Sequence, residues 1–370
     1  MSHRYFLCTA LLAAGAVRLH ALTLDQSVVD FASDSDNYNL ISFGSTTLSG
    51  SSEVYGGIAV GGNLDLGGTY TIASSSSFST GSNPSLYVNG QLSLNGNSMQ
   101  NNGYASLPNL TGGWTWNATE KRLTNSSGNY LGMNSSNSYA SDNPIDNPIP
   151  SGWNWTTQQS NYTAIAAGLD SGSVGSDTVS VNNSQQLVFS TTITSGVAVF
   201  DLDAADLSGG DSYNGSSFDN IVFNIPSGVD YVINVTGESS VTLFNNNISF
   251  TGSGNNYNNL LWNFGTATSV AIDASSSFYG SIVAPAATVT ANAVIQGQVV
   301  ADSFDDCGVE LEDDSFTPVS VLVPESSAFA VGVLVLCGAV AGRTYLVRRK
   351  AAAQDQARAA FVPLAKSVSK

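Results

Sequence analysis

The sequence predicts a mainly β protein: a right-handed β-solenoid (β-helix) with one flanking α-helix and a C-terminal transmembrane helix. The unit Gly-x-(Ile/Val)-Val-Ala occurs at Gly280–Ala284 and again at Gly297–Ala301. Runs this short, rich in Val and Ile and bounded by Gly, Pro or Asn, are typical of strands that neighbouring copies must bury. Residues 262–272 align with 281–291 at an offset of 19, which predicts successive stacked coils. Hairpin strands of a sandwich are the alternative.

A second repeat lies in the N-terminal half. Ile58–Gly68 matches Leu86–Gly96 at an offset of 28, with alternating apolar residues and glycines in register. Alternation gives each strand one buried face, and glycine permits the tight corners that a coil needs. Further strand patterns run from residue 178 to residue 244, so strands dominate the predicted structure.

One amphipathic helix is predicted between the two repeats. Tyr162, Ile165, Ala166 and Leu169 fall at i, i+3, i+4 and i+7, which places them on one helix face. We expect this helix to pack along the side of the solenoid. The preceding segment 97–161 is rich in Asn, Ser and Gly and predicts an irregular surface insertion in the 22–322 ectodomain.

Both ends of the chain carry targeting segments in this interpretation. Residues 1–21 have a basic start, an apolar run and small residues, as in a secretory signal cut after Ala21 or after Ala16. Residues 323–347 approach the length of a membrane-spanning helix, and 348–370 form a basic tail. The positive charge predicts a cytoplasmic tail, so the ectodomain would be held outside the cell by a single-pass anchor.

Charge and residue usage exclude several functions. Between residues 22 and 323, only Lys121 and Arg122 stand against 26 Asp and Glu, so nucleic acid is not an expected partner. Both histidines, His3 and His20, lie in the predicted signal. Cys307 is the one cysteine of the predicted ectodomain, which excludes Cys-based zinc sites and an intramolecular disulfide there. The sequence predicts no cofactor, with calcium as the one alternative.

An acidic loop is the candidate calcium site. Carboxylates are the hard oxygen ligands that Ca²⁺ prefers, but their spacing here fits neither an EF-hand loop nor the Gly-Gly-x-Gly-x-Asp repeat. A solvated acidic turn is the alternative. The candidate ligands are Asp201, Asp203, Asp206 and Asp211.

Two Trp-x-Trp pairs are the candidate ligand-binding residues. Aromatic faces supply binding area at low entropic cost, so these rings are candidates for stacking on sugars; the alternative is that they cover the end of a core. The pairs are Trp114 with Trp116, and Trp153 with Trp155.

Catalysis and ice binding are the further alternatives. A glycosidase needs two carboxylates at the right separation, and Asp201 with Asp203 and Asp305 with Asp306 are the paired acids. The Gly-His-Gly and Arg-x-Lys motifs of pectin-cleaving solenoids are missing, and we expect no enzyme. Ice binding would need threonines repeated coil after coil, whereas Thr69-Tyr-Thr71 and Thr288-Val-Thr290 are isolated.

The order of motifs over residues 35–317 resembles the choice-of-anchor A domain family. This resemblance implies an exported surface domain, regarded as an adhesive module, joined to whatever C-terminal anchor its host uses. It implies no catalytic or binding residues. The motifs are Asn39–Gly44, Ser52–Asn63, Val222–Pro226, Leu261–Phe264 and the two Gly-x-(Ile/Val)-Val-Ala units. The coils with their flanking helix also resemble ice-binding solenoids in architecture.

The tail resembles a PEP-CTERM sorting signal. Val323-Pro324-Glu325 precedes a hydrophobic run, and basic residues follow it. Ser326 stands where a second proline is usual, and 20 residues follow Lys350, so a plain membrane anchor is the alternative. The predicted anchor residues are Pro324, Glu325, Arg343, Arg348, Arg349 and Lys350.

Taken together, these features predict an exported, membrane-anchored adhesin or matrix-contact module without catalysis. Its expected partners are an extracellular glycan, a matrix or another cell surface. A carbohydrate-binding or carbohydrate-cleaving β-helix protein is the alternative, and an ice-binding-like solenoid is a further one.

Overall fold

A computed structural model describes most of the predicted ectodomain. The described residues all belong to one compact unit, which ends at Val321. Residues 322–370 and the predicted signal lie outside the described residues, so the predicted leader, transmembrane helix and tail stay predictions. The described residues are 24–32, 38–74, 84–95, 98–133, 143–145, 153–171, 177–208, 212–224, 226–244, 247–251, 257–273, 277–312 and 314–319.

Short strands dominate the described residues. The helices are α1 (residues 24–32), α2 (Trp155–Asp170) and α3 (Ala204–Ser208), with a 3₁₀ turn at Tyr257–Asn259. The strands are β1 (Leu40–Ser42), β2 (Thr46–Leu48), β3 (Ser52–Val54), β4 (Ile58–Val60), β5 (Leu64–Leu66), β6 (Tyr70–Ile72), β7 (Leu86–Val88), β8 (Leu92–Leu94), β9 (Ser98–Asn101), β10 (Ala105–Ser106), β11 (Thr115–Asn117), β12 (Arg122–Thr124), β13 (Tyr130–Met133), β14 (Thr178–Val181), β15 (Gln186–Ser190), β16 (Gly196–Asp203), β17 (Ser212–Tyr213), β18 (Ser216–Ser217), β19 (Asn220–Asn224), β20 (Val229–Thr236), β21 (Ser240–Phe244), β22 (Asn247–Phe250), β23 (Leu260–Asn263), β24 (Ser269–Asp273), β25 (Phe278–Tyr279), β26 (Ser281–Ala291), β27 (Ile295–Gln296), β28 (Val299–Asp306) and β29 (Leu311–Glu312).

The strands stack as coils of a solenoid, as the sequence predicts. Within the described residues, pairing is parallel except in the hairpins β11–β12–β13, β14–β15 and β17–β18. Each coil contributes a strand to successive faces; for example, β4, β5 and β6 pair with β7, β8 and β9 of the next coil. Parallel ladders leave almost no backbone donor or acceptor unpaired inside the stack.

The chain enters the stack in its middle. The strand order on one face is β10-β7-β4-β1-β28-β26-β23-β20-β16. The first coil therefore packs on one side against the coil that follows it and on the other against the last coil, through β1–β28, β2–β28 and β3–β29. This contact, which we call the seam, joins an N-terminal half to a C-terminal half.

The predicted repeats lie in the predicted register, with one correction. Ile58 pairs with Leu86 at the offset of 28, and Ile282 pairs with Val299 at the offset of 17. Val270 pairs with Val289 at the predicted offset of 19. Trp262, however, pairs with Ile282 at an offset of 20, because the corner that follows β23 is one residue longer than the corresponding corner inside β26.

Helix α2 covers one face of the stack, which we call the helix-covered face, as predicted. Its buried residues include the four predicted positions Tyr162, Ile165, Ala166 and Leu169. They contact the outward side chains of this face, and α1, which the sequence did not predict, joins the same cluster. The 16 residues of α2 span about 24 Å, or roughly five strand spacings.

Polar side chains fix both ends of α2. Asn154 caps its N-terminus by accepting from Thr157 N at 2.9 Å. At the other end, Asn263 Nδ2 donates to Ala166 O at 2.9 Å, and Asn234 Nδ2 donates to Leu169 O at 3.1 Å. These two asparagines lie opposite each other on β20 and β23. The Leu169 carbonyl is one of those that the last turn of a helix leaves without an intrahelical partner, so the sheet satisfies it.

Glycine allows neighbouring coils to approach closely at the corners. At the corner that follows the helix-covered face, Gly62 N donates to Gly44 O at 2.6 Å, and Gly90 N donates to Gly62 O at 2.9 Å. At the next corner, a Cβ on Gly68 would lie 1.3 Å from Gly50 O. Any side chain at position 68 would push the two coils apart.

The segment that sequence analysis assigned to an irregular insertion is more regular than its composition indicates. β9 and β10 complete another coil, and β11–β13 form an antiparallel extension that joins the sheet through β9. The composition misleads because it hides a buried face: Met99, Leu123 and Leu131 are buried, and so are the polar residues Asn101 and Ser106.

We expect Gly68→Ala to destabilise the fold by about 3 kcal/mol, because the added methyl group meets backbone that can move only if the coils separate. The matched control is Gly132→Ala, where the nearest atom, Gln100 Oε1 at 2.7 Å, ends a flexible side chain. The measurement is urea unfolding of both variants followed by circular dichroism. Equal losses of stability in the two variants would contradict this account of the corners.

Candidate functional site

The solenoid has a second face that no helix of the described residues covers, which we call the open face. It consists of β8, β5, β2, the second half of β28, the second half of β26, β24 and β21, paired in that order. The middle outward residue of each strand stands directly beside that of the next strand. In stacking order this row is Ser93, Asp65, Thr47, Asp305, Thr290, Ala271 and Thr242.

Alternation along each strand sets the direction of these side chains. The neighbours of Thr47 and Thr290 on either side, such as Leu48 and Val289, are fully buried in the inner core. Thr47 and Thr290 are only partly buried, and Asp305 is exposed. A one-residue slip would place apolar residues in water, so burial holds the polar row outward.

The face is long and narrow, and most of its outward side chains are small hydroxyl residues. Seven strands at about 4.8 Å spacing give a row of roughly 29 Å. A second row of small hydroxyl residues runs beside part of the first, with Ser303 paired to Thr288, Thr288 to Ser269, and Ser269 to Ser240. The two rows offer hydroxyl groups and methyl groups at a fixed repeat, interrupted by the carboxylates of Asp65 and Asp305.

The paired acids Asp305 and Asp306 do not act together. Asp305 lies on the open face, whereas Asp306, 1 % exposed, faces the inside of the solenoid. Asp306 accepts hydrogen bonds from Gly308 N and Val309 N at 2.8 Å each and from the Tyr70 hydroxyl. Burial raises the pKa of Asp306, and these three donors lower it. Because Tyr70 belongs to the N-terminal half, this contact ties the halves together across the seam.

The predicted calcium ligands are only partly described. Asp201 and Asp203 are both exposed on one side of β16, as their spacing predicts, and Asp206 follows in α3. Asp201 accepts from Asn234 Nδ2 at 3.1 Å, and Asp203 accepts from Ala205 N at 3.0 Å, so each holds a neighbouring group. Asp211 lies outside the described residues.

Within the described part of the chain, no three His, Cys, Asp or Glu side chains are grouped so as to hold a metal ion. The calcium site therefore stays a prediction.

The two tryptophan pairs pack against different clusters. Trp114 and Trp116 are partly buried against the inner core near β11–β13. Trp153 and Trp155 lie 5.2 Å apart at the start of α2 and pack on the outer cluster.

The second tryptophan pair has its polar groups turned inward. Trp155 stacks on Tyr87 at 5.2 Å and donates its Nε1 proton to the Tyr87 hydroxyl at 3.2 Å. The Nε1 atom of Trp153 is buried. This arrangement favours packing over sugar stacking for these two rings, and sugar binding by either pair stays a prediction.

Sequence reasoning missed most of the open-face row. The repeat at an offset of 28 places Asp65 and Ser93 at the same position, which was a usable signal. No repeat in the sequence indicates that Thr47 lies beside Asp305. The two residues become neighbours only because the first coil packs against the last coil at the seam.

A family model described as "Putative Ice-binding-like adhesive domain" matches residues 31–312, well over half of the chain. The chain belongs to this family. The ice-binding-like adhesive domain thus begins in α1 and ends with β29, so it includes both halves of the solenoid and the open face. No curated protein matches the chain.

Solved structures similar to this ice-binding-like adhesive domain are distant in sequence. One is an ice-binding protein from an Antarctic biological consortium, with 13 % identity and a TM-score of 0.36, covering 75 % of this chain and 87 % of that one. Another is a glycosylated ice-binding protein from an Arctic yeast, with 10 % identity and a TM-score of 0.28, covering 80 % of this chain and 96 % of that one.

The predicted membrane anchor follows the matched domain in the sequence. The predicted anchor residues, from Pro324 to Lys350, lie outside the described residues. Among the residues that are described, no helix combines the length and the hydropathy that crossing a membrane requires. Membership of the choice-of-anchor A family stays a prediction.

We expect no calcium-dependent stabilisation, because the described residues hold no group of three acidic side chains placed to bind a metal ion, and Asp201 Oδ1 and Asp203 Oδ1 each accept a hydrogen bond from a neighbouring group. A site present at 100 times its Kd would raise the free energy of unfolding by about 2.7 kcal/mol. The measurement compares thermal unfolding in millimolar Ca²⁺ and in EDTA. A higher midpoint in Ca²⁺ that disappears in Asp201→Asn, but persists in the open-face control Asp65→Asn, would establish the site and contradict this expectation.

Proposed function

We propose that the chain is a non-catalytic cell-surface protein that adheres through its open face and is held to the membrane by residues 323–347. The observation that carries the proposal is the open face itself. It is an array of in-register, mostly polar side chains at the fixed strand spacing, opposite in character to the apolar, helix-covered face. A rigid array of this kind suits contact with an extended surface, because no side chain must be ordered on binding.

The array also favours a solid or polymeric partner over a small molecule. Small-molecule sites are concave and enclose most of the ligand. The outward residues Thr47, Thr290 and Asp305 instead lie along neighbouring strands of one sheet. Partners consistent with this geometry are an extracellular glycan, a matrix or another cell surface. The acidic character of the chain, with a formal net charge of −17, makes nucleic acid an unsuitable partner.

Several observations support the absence of catalysis. Asp305 and Asp306 point to opposite sides of β28, so they cannot share a substrate. Asp201 and Asp203 hold neighbouring groups. The two histidines of the chain, His3 and His20, fall in the predicted signal, which leaves the proposed mature domain without the commonest general base.

Ice binding is the second candidate function. The hydroxyl groups of Thr47, Thr290 and Thr242 share one row, which the sequence alone had not indicated. The description of the family to which the chain belongs also mentions ice binding. The carboxylates of Asp65 and Asp305 argue against it, because charged groups hold water strongly and interrupt the row.

A bulky residue on the open face should weaken adhesion. We expect Thr47→Tyr to lower adhesion of the full chain at least tenfold, because the ring would stand above the row and lift the face from a flat partner. The matched control is Thr71→Tyr on β6, a partly buried outward threonine at the middle of a short strand on another face. Cells displaying each variant would be tested for attachment to insoluble polysaccharides and to other cells.

Equal effects of the two substitutions would contradict the role of the open face. Freezing-point depression by the wild-type chain, lost in Thr47→Tyr, would favour ice binding over adhesion. Release of soluble sugars from the polysaccharides would contradict the absence of catalysis.

The anchor is tested independently of the contact surface. We expect the full chain to sediment with membranes and a chain ending at residue 322 to appear in the medium, because 323–347 supplies the apolar length that spans a bilayer. Immunoblotting of membrane and medium fractions measures the distribution. Recovery of the uncleaved full chain from the medium would contradict the anchor.

A further inference from the structure

The last described residues form a strap along the edge of the helix-covered face. Residues 314–319 follow β29 and contact several parts of the molecule. The Phe316 ring lies 5.7 Å from that of Phe31 in α1, and Phe316 N donates to Gln298 Oε1 at 3.1 Å. The strap is therefore fastened to α1 and to the corner before β28.

The far end of the strap is fastened to the C-terminal half. Thr317 N donates to Asn258 O at 2.8 Å, and Thr317 O accepts from Asn259 Nδ2 at 2.6 Å. Val319 N donates to both carboxylate oxygens of Asp230, at 3.2 and 3.1 Å. Asp230 thus holds the point where the strap meets the segment from residue 320 onward.

Asp230 is a fully buried carboxyl group, 0 % exposed. The two groups that donate hydrogen bonds to its carboxyl oxygens are both uncharged. They are the backbone N–H of Val319 and Asn259 Nδ2, the latter at 3.0 Å. The charged group that acts on it from a packed element is Asp25 of α1, which is also acidic. The ion pair found among the described residues joins Arg122 to Glu120 and does not involve Asp230. No cation therefore offsets a negative charge at Asp230 in this part of the chain.

Burial and a neighbouring acid both disfavour the ionised form of Asp230. Burial is the larger cause and raises the pKa of Asp230 to about 7, although the hydrogen bonds from Val319 and Asn259 lower it; Asp25 raises it further. A neutral carboxyl group still accepts from Val319 through its carbonyl oxygen. When the strap opens, water reaches the carboxyl group and the pKa returns toward its ordinary value near 3.8.

We infer that the strap is a pH-sensitive latch, in which neutral Asp230 holds residues 316–319 against the sheet and ionisation of Asp230 favours their release. Closure is fully favoured below about pH 4, weakens as the pH rises toward 7, and then levels off. Release would free about 14 Å of extended chain. A longer and looser tether to the membrane follows only if the proposed anchor is correct; the latch itself does not depend on it.

The test is hydrogen exchange of the Thr317 and Val319 amides in the full chain between pH 4.5 and pH 8, corrected for the intrinsic rate at each pH. The opening constant in the wild type should rise by up to about tenfold per pH unit below pH 7 and then become constant. In Asp230→Asn, the pH dependence should disappear. In the control Asp65→Asn, on the open face, it should remain.

A second variant keeps the test decisive if Asp230→Asn does not fold. Asp25→Asn removes the neighbouring acid, so the levelling-off should move to lower pH. An opening constant independent of pH in the wild type would overturn the latch, as would a wild-type slope that persists in Asp230→Asn. Loss of membrane sedimentation with an intact pH profile would contradict the anchor and leave the latch standing.

Discussion

The whole structure depends on backbone-to-backbone contact between coils in register. Each strand is only a few residues long, so it is stable only because the next coil supplies hydrogen bonds and covers its edge. Such close approach requires corners without side chains. Gly62 and Gly68 meet this need, since a Cβ at either position would lie within 3 Å of the carbonyl group of the preceding coil. Open face, helix-covered face and strap all inherit their geometry from this stacking.

The seam is the second constraint. The chain starts in the middle of the stack, leaves it at β10, and returns at the other end through α2. Helix α2 therefore acts as a crossover brace: Trp155 at its start contacts Tyr87 in the N-terminal half, and Leu169 at its end bonds Asn234 in the C-terminal half. Tyr70 and Asp306 link the halves again from the inside. Two halves of similar chemistry are thereby made into one continuous face.

Much of the fold could be predicted from the sequence because the repeats encode it locally. The offset of 28 and the offset of 17 give the true registers, and the apolar positions of α2 are the ones that it buries. The sequence could not show which repeats become neighbours, because every short β run offers the same backbone hydrogen bonds. Helix α1 was missed since its short apolar pattern directly follows the predicted signal.

The same limit explains why the sequence did not reveal the row of outward residues on the open face. Thr288 and Thr290 looked isolated along the chain, yet stacking places Thr290 beside Asp305, with Thr47 on the other side of Asp305. The sequence shows that these residues are threonines and aspartates, but it does not show which of them lie side by side on neighbouring strands. The tryptophan pairs illustrate the reverse case: they stood out in the sequence, but the ring of Trp155 is engaged by Tyr87.

The position of the first coil has a consequence for biosynthesis. Asn39 Nδ2 bonds Gly297 O, a partner 258 residues further along the chain. During synthesis, β1, β2 and β3 therefore have one unpaired edge until β28 and β29, the last strands of the domain, have been made. Unpaired edges of this kind recruit other strands. A chain truncated before β28 would keep this edge unpaired and would therefore be prone to aggregate. Completion of the chain covers the edge and lowers that tendency.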